Sequence, residues 1–310
     1  MPPSQRREVR RRHREAVFGA AQRPAAGGRS AVGGIVLDAS PHLLVLAAGG
    51  TEVRLAMSED TVVWHGGRGG LAALRPGRPV VVRHRTPGIG FAERIWVGIG
   101  RVSGTIVACG RDTVEVDMGP HRGRAHVVIP PHALGRVLVR HPRLEPGYLI
   151  DVICVRSPGG PQAVRPGTSQ PGYRVEDLAA PESAAPVPEV LRGTATWFGG
   201  VEGEERDGAS YPAVDSEGDA GGCADAPSGC VPFPCLSLGS EVTVRNECAG
   251  RSAPLPVIEC GCTAARFCDR CVECGASPRG RIVELTPTAF AGLGGELEAG
   301  CFNAAVTGPW

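Results

Sequence analysis

Short runs of alternating apolar and polar residues, each cut off by glycine or proline, fill the first half of the chain. EVRLAM (Glu52–Met57), TVVW (Thr61–Trp64), PVVVRH (Pro79–His84) and IWVGI (Ile95–Ile99) are examples. Alternation at a period of two puts successive side chains on opposite faces of a strand. Such runs, recurring about every 8 to 12 residues, predict small barrels in which edge strands are paired off. The pattern also repeats. Val32 and Gly34 fall on Val102 and Gly104, LLVL (Leu43–Leu46) on TVEV (Thr113–Val116), Leu74, Pro76 and Gly77 on Leu144, Pro146 and Gly147, and VVVRH (Val80–His84) on IDVIC (Ile150–Cys154). A constant offset implies an internal duplication. The expected fold is all-β: two tandem OB-like or SH3-like barrels over residues 31–99 and 100–156, followed by a third, cysteine-rich unit.

Composition supports this reading. With 45 Gly and 28 Pro in 310 residues, long helices are disfavoured, because Gly costs backbone entropy and Pro removes a donor. SPGGPQAVRPGTSQPGYRVEDLAAPESAAPVPEV, from Ser157 to Val190, has too little apolar periodicity to bury. It reads as a semi-extended linker over 157–190 that holds the last unit, 191–310, away from the barrels. Residues 1–30 carry Arg6, Arg7, Arg10, Arg11, Arg12 and Arg14 and read as a basic, solvated tail. No stretch there offers the roughly 7 to 15 apolar residues of a secretory signal, and no transmembrane segment is expected. The net charge of +1 gives no reason to expect a specific nucleic-acid partner. Trp64, Phe91, Trp96 and Tyr148 read as packing residues, and His84, His121, His126, His132 and His141 lack metal-ligand spacing. No chemistry is assigned to the first two barrels.

Ten of the twelve cysteines fall after Gly221, which reads as a disulfide framework or a metal site. In the same region GTATWFGG (Gly193–Gly200) precedes CLSLGSEVTVRNEC, LPVIECGC and RIVELTPTAFAGLGG. The order resembles that of rare lipoprotein A (RlpA) and expansin-like double-psi β-barrels. Thr196, Trp197, Phe198 and Gly199 resemble the family's opening strand, and Leu238, Gly239, Ser240, Val242 and Val244 its "FGT-V-V" strand. Glu259 and Gly261 lie where "NDRGP" places Asp and Gly, and Ile282 to Thr286 lie at "VIDLS". Thr286 and Pro287 are expected to cap and open the helix that follows.

The resemblance implies association with peptidoglycan or another wall polysaccharide, and an extracellular or cell-envelope location. It further implies that Glu259 would protonate a glycosidic oxygen and then take a proton from the sugar's own hydroxyl, with Glu284 orienting it. Trp197, Phe198 and Tyr211 would face the sugar rings. The family's acids are Asp where this chain has Glu, and the His before its "LPFGT" strand has no counterpart in VPFPCLSLGS. These departures favour a wall-binding protein over a lytic transglycosylase-like enzyme. No cofactor is expected, but Cys260, Cys262, Cys268, Cys271 and Cys274 would pair as disulfides or, if reduced, hold zinc. A zinc-stabilised interaction protein is the third reading.

Overall fold

The alternating runs of the first half become β1 (Arg29–Ala39), β2 (Leu43–Ala48), β3 (Thr51–Ala56), β4 (Val62–Trp64), β5 (Pro79–Arg85) and β6 (Phe91–Val97). They belong to a computed structural model that describes residues 29–85, 90–119, 121–168, 172–177, 188–200, 207–214, 233–261, 264–269 and 279–310. β1 pairs antiparallel with β2 and β5, β2 with β3, and β5 with β6. A parallel bridge between Ala56 and Phe91 closes the ring, and β4 runs parallel along β6.

A second ring follows, from β7 (Ile99–Cys109), β8 (Thr113–Asp117), β9 (Arg124–Val128), β10 (Leu149–Ser157) and β11 (Gly160–Pro166), with helix α1 (Pro131–Leu138) between β9 and β10. Its pairings repeat those of the first, including a parallel closure from Gln162 to Val128. Both are five-stranded Greek-key rings of the OB type. The duplication reaches backbone detail. Bulges fall between Val36 and Asp38 and between Ile106 and Ala108, and the left-handed Gly77 and Gly147 donate their N–H groups to Val36 and Ile106.

The second barrel extends past its expected end at residue 156. β11 comes from the segment read as linker, because only Ala163 of that strand enters the core and the surrounding Pro and Gly hide a strand carrying one inward side chain. Tyr173 and Val175 also bond back to Leu149 and Gly147. Residues 1–28 and 178–187, in the expected tail and linker, lie outside the described residues.

The third barrel contains β12 (Leu191–Trp197), β13 (Gly199–Gly200), β14 (Ala209–Tyr211), β15 (Glu241–Asn246), β16 (Arg251–Cys260), β17 (Cys268–Asp269), β18 (Arg279–Leu285) and β19 (Cys301–Thr307). Six of these close the ring β12-β19-β15-β16-β14-β18, with β12 returning to β18. Two pairs are parallel, β12 with β18 and β14 with β16, and the rest antiparallel. Exchanging β12, β14 and β15 for β16, β18 and β19 leaves every pairing unchanged. That pseudo-two-fold crossing is the double-psi arrangement. Helix α2 (Pro287–Gly292) opens with Pro287 as expected, but Thr286 makes no side-chain cap; its buried hydroxyl accepts from the Gly208 N–H instead.

The third barrel is not held at a distance. Trp64, Val81, Trp96, Ile99 and Ile153, on the outer faces of the first two barrels, belong to its hydrophobic core. Val80 and Val82, either side of Val81, fill the first barrel instead. β13 pairs with β7, adding a strand from the third unit to the second, while α2 lies against β1 and β5. Arg83 and Arg94 pair with Glu296, Arg94 also with Glu298, and the Trp96 indole donates to Glu298. The linker composition misled because it reports chain stiffness, whereas docking is set by apolar surface on both faces of β5, β6 and β10.

A Cβ on Gly34 would lie 2.6 Å from the Ala47 carbonyl oxygen, and one on Gly104 would lie 2.1 Å from that of Asp117. Gly34→Ala and Gly104→Ala are expected to destabilise the protein by about 1–3 kcal/mol each, Gly104→Ala more, as read from denaturant midpoints. Equal or unchanged midpoints would contradict the close approach.

Candidate functional site

Strand register alone brings the two candidate acids together. On the short central strand β14, Ser210 is the parallel partner of Glu259 on β16 and the antiparallel partner of Glu284 on β18. Paired residues on neighbouring strands share a face, so the three side chains project to one side of the barrel. The group they meet comes from the second barrel.

That group is Arg122, in the β8–β9 turn. The turn is closed by Asp117 accepting from the Gly119 N–H, by Met118 N–H to Gly123 O, and by Gly123 N–H to Gly119 O. Gly119 and Gly123 both have positive φ, 93° and 72°, a conformation that costs glycine little. Arg122 Nε donates to Glu259 Oε1 at 2.8 Å and Nη2 to Ser210 Oγ at 3.1 Å. Nη1 lies 2.7 Å from Glu284 Oε2. The guanidinium also covers the Phe198 ring at 4.3 Å. The Arg122, Glu259 and Glu284 side chains retain 13%, 11% and 1% of their exposure. Burial works against the Arg122 charge, but Glu284 and Glu259 outweigh it and push its pKa above the ordinary arginine range.

The charges continue inward. Glu284 Oε1 pairs with Arg281 Nη1 at 3.1 Å, and Arg281 Nη2 with Asp151 Oδ2 at 2.6 Å. Asp151 receives Arg101 in a two-pronged contact of 2.8 and 2.7 Å, and Arg101 donates onward to Gly300 O and Gly167 O. The result is an alternating chain, Glu259, Arg122, Glu284, Arg281, Asp151, Arg101, that crosses between the second and third barrels three times. Burial raises the Asp151 pKa, but Arg101 and Arg281 overcome it and hold the carboxyl at about 2. A Cβ on Gly167 would lie 2.4 Å from Asp151 Oδ1, so glycine is required there for Arg101 and Asp151 to meet.

The expected sugar-facing aromatics take other places. Trp197 and Tyr211 are each 0% exposed. The Trp197 indole donates to Leu297 O, and Tyr211 packs edge-on to Phe233, with burial pushing its hydroxyl pKa up. Neither has a face to offer a glycan, because inward positions of a small barrel must be filled. Phe198 is buried as well and lies beneath Arg122. Among the cysteines, Cys260 is buried, and Cys248 and Cys260 each carry a disulfide bond. Cys262, Cys271, Cys274 and the Cys268 side chain lie outside the described residues. Among the described residues no group of three or more His, Cys, Asp or Glu is placed to hold a metal ion, and no helix is long and apolar enough to cross a membrane.

Sequence reasoning missed Arg122, Ser210 and the inner charges. Arg281 in RIVEL and Asp151 in LIDVICV carried a signal, a lone charge inside an apolar strand, which must be paired when buried. Arg122 carried only the paired glycines of its turn.

No family model and no curated relative matches the chain. Among solved structures, one of Drosophila described as "drosophila Unr CSD456" is similar at 15% identity over 62% of this chain and 74% of that one, with a TM-score of 0.18. A likeness that low supports no assignment.

Asp151→Asn would leave Arg101 and Arg281 facing a neutral amide, and breaking a buried pair in this way costs about 3–5 kcal/mol. Because the folded-state pKa of Asp151 lies below its ordinary carboxylate value, its stabilisation is complete above about pH 4 and lost as pH falls toward 2. Urea midpoints measured from pH 7 to 2 should fall across that window in the wild type. The variant should start lower and lose less there; parallel curves would contradict the assignment.

Proposed function

We propose that this chain is an RlpA-like cell-wall protein that associates with peptidoglycan or a related wall polysaccharide without cutting it, in the envelope or outside the cell. The sequence resemblance over the third barrel supports the substrate class. The position of Arg122 supports the absence of turnover. General acid catalysis needs a carboxyl group free to deliver a proton at the glycosidic oxygen, and both candidate acids are engaged as acceptors of one guanidinium. Burial of Trp197 and Tyr211 further removes these two rings as platforms on which a sugar could stack. Glu259 and Glu284 then hold Arg122 in place rather than serve as acid and base.

Two measurements test this reading. Purified protein should co-sediment with insoluble wall sacculi in a saturable way. Denuded glycan strands incubated with it at high loading should yield no anhydro-sugar ends by mass spectrometry. Anhydro ends that vanish in Glu259→Gln would establish a lytic enzyme instead, and absence of saturable sedimentation would remove the wall assignment.

A further inference from the structure

His141, just past the end of α1, is 2% exposed, and its N–H carries the helical turn onward by donating to Val137 O at 2.9 Å. Its ring is part of the second barrel's main-chain bonding. Gly167 N–H donates to Asp151 O at 2.8 Å, while the Gly167 carbonyl is turned to Arg101 Nη2. The Asp151 N–H donates to His141 Nε2 at 3.3 Å, and the same nitrogen lies 2.9 Å from Asp151 O. His141 Nδ1 is buried and has no aligned hydrogen bond. The main chain held in this way is that of the residue whose carboxylate takes Arg101 of β7 and Arg281 of β18. An imidazole thus steadies the carboxylate that ties the second barrel to the third.

We propose that His141 is an acid-sensitive latch: one proton taken up on its ring loosens Asp151 and frees the β7 edge from the third barrel. The proton turns an acceptor into a donor. With hydrogen on both ring nitrogens, Nε2 opposes the Asp151 N–H, and Nδ1 becomes a buried donor without an aligned partner. The charges around the ring do not offset this. The Asp151 carboxylate is already shared by two guanidiniums. β11, against which α1 packs, carries Arg165 as its one charged residue, and that residue is exposed. Arg140 and Arg143 flank His141 along the chain and add only like charge. Burial accordingly lowers the His141 pKa from its ordinary 6.5, against the weaker pull of the Asp151 main chain, the Asp151 charge and the Leu149 main chain. A histidine with a lowered folded pKa stabilises the fold above its unfolded value, and that stabilisation is lost as pH falls below about 6.5, before Asp151 itself protonates. Exposed Leu71 stands at the duplicated position in the first barrel, so the latch belongs to the copy that carries the inter-barrel charges. It does not depend on which polymer the protein binds.

Hydrogen exchange of the full chain, read by mass spectrometry over Ile99–Ser103 and Phe198–Gly200, reports the paired edges of β7 and β13. After correction for the pH dependence of free-peptide exchange, protection there in the wild type should fall by about tenfold between pH 7 and 5, as one linked proton allows. His141→Gln keeps an amide oxygen that can accept from the Asp151 N–H but takes up no proton, and its protection should stay level over the same range. His84→Gln removes the other histidine whose pKa burial lowers and should lose protection as the wild type does. If His141→Gln does not fold, the His141 ring of the wild type, followed by carbon-13 NMR, should titrate below 6.5 with the same midpoint as the loss of protection. Level protection in the wild type, an equal loss in His141→Gln, a level His84→Gln, or a His141 ring that titrates at or above 6.5 would overturn the latch. A loss of protection spread evenly over all three barrels would overturn the release of this one interface.

Discussion

Six buried or nearly buried charges, alternating in sign from Glu259 to Arg101, fix how the second barrel meets the third. Each inner member has an opposite charge on both sides, so the desolvation of every ion is offset only if all the contacts form at once. Such a chain adds little net stability compared with apolar packing, but it allows one register. A slip of the interface by one residue would leave guanidinium against guanidinium. The apolar contacts of Ile99 and Ile153 supply the attraction, and the charges select the geometry.

The fold was largely legible because its main determinants are local. Period-two runs, glycine punctuation and the constant offset between the two copies each report a physical requirement of a single strand or turn. Gly34 and Gly104 are glycines because a carbonyl oxygen occupies the space of a side chain, a need that survives duplication unaltered. The double-psi crossing was legible only through resemblance, since parallel pairing of β12 with β18 joins residues about ninety positions apart with no local mark.

The site was legible in half. Glu259 and Glu284 stood out only through the resemblance, which places the family's acids at these positions, and the register of β14 brings them to one face. Trp197 and Tyr211 were misplaced because an aromatic in a strand gives no indication of which face it occupies until the barrel closes. Arg122 was invisible for a different reason. Arginine is the only long basic residue in this chain, and an exposed turn such as GPHRGR gives no hint that another unit lies against it. The unbroken apolar runs VVV and IWV did hold the missing clue, for a strand apolar on both faces needs a second surface to cover it.

The strand β13, laid along β7 from a later part of the chain, has a consequence for biosynthesis. The two OB-type rings are complete as polypeptide once Pro166 has emerged from the ribosome, whereas the strands that cover their outer tryptophans and isoleucines run on to β19. Throughout that interval a finished pair of barrels displays an open β-edge beside an oily patch, a combination that invites pairing with a neighbouring nascent copy. The time taken to translate the third barrel therefore sets how long the half-made molecule is exposed.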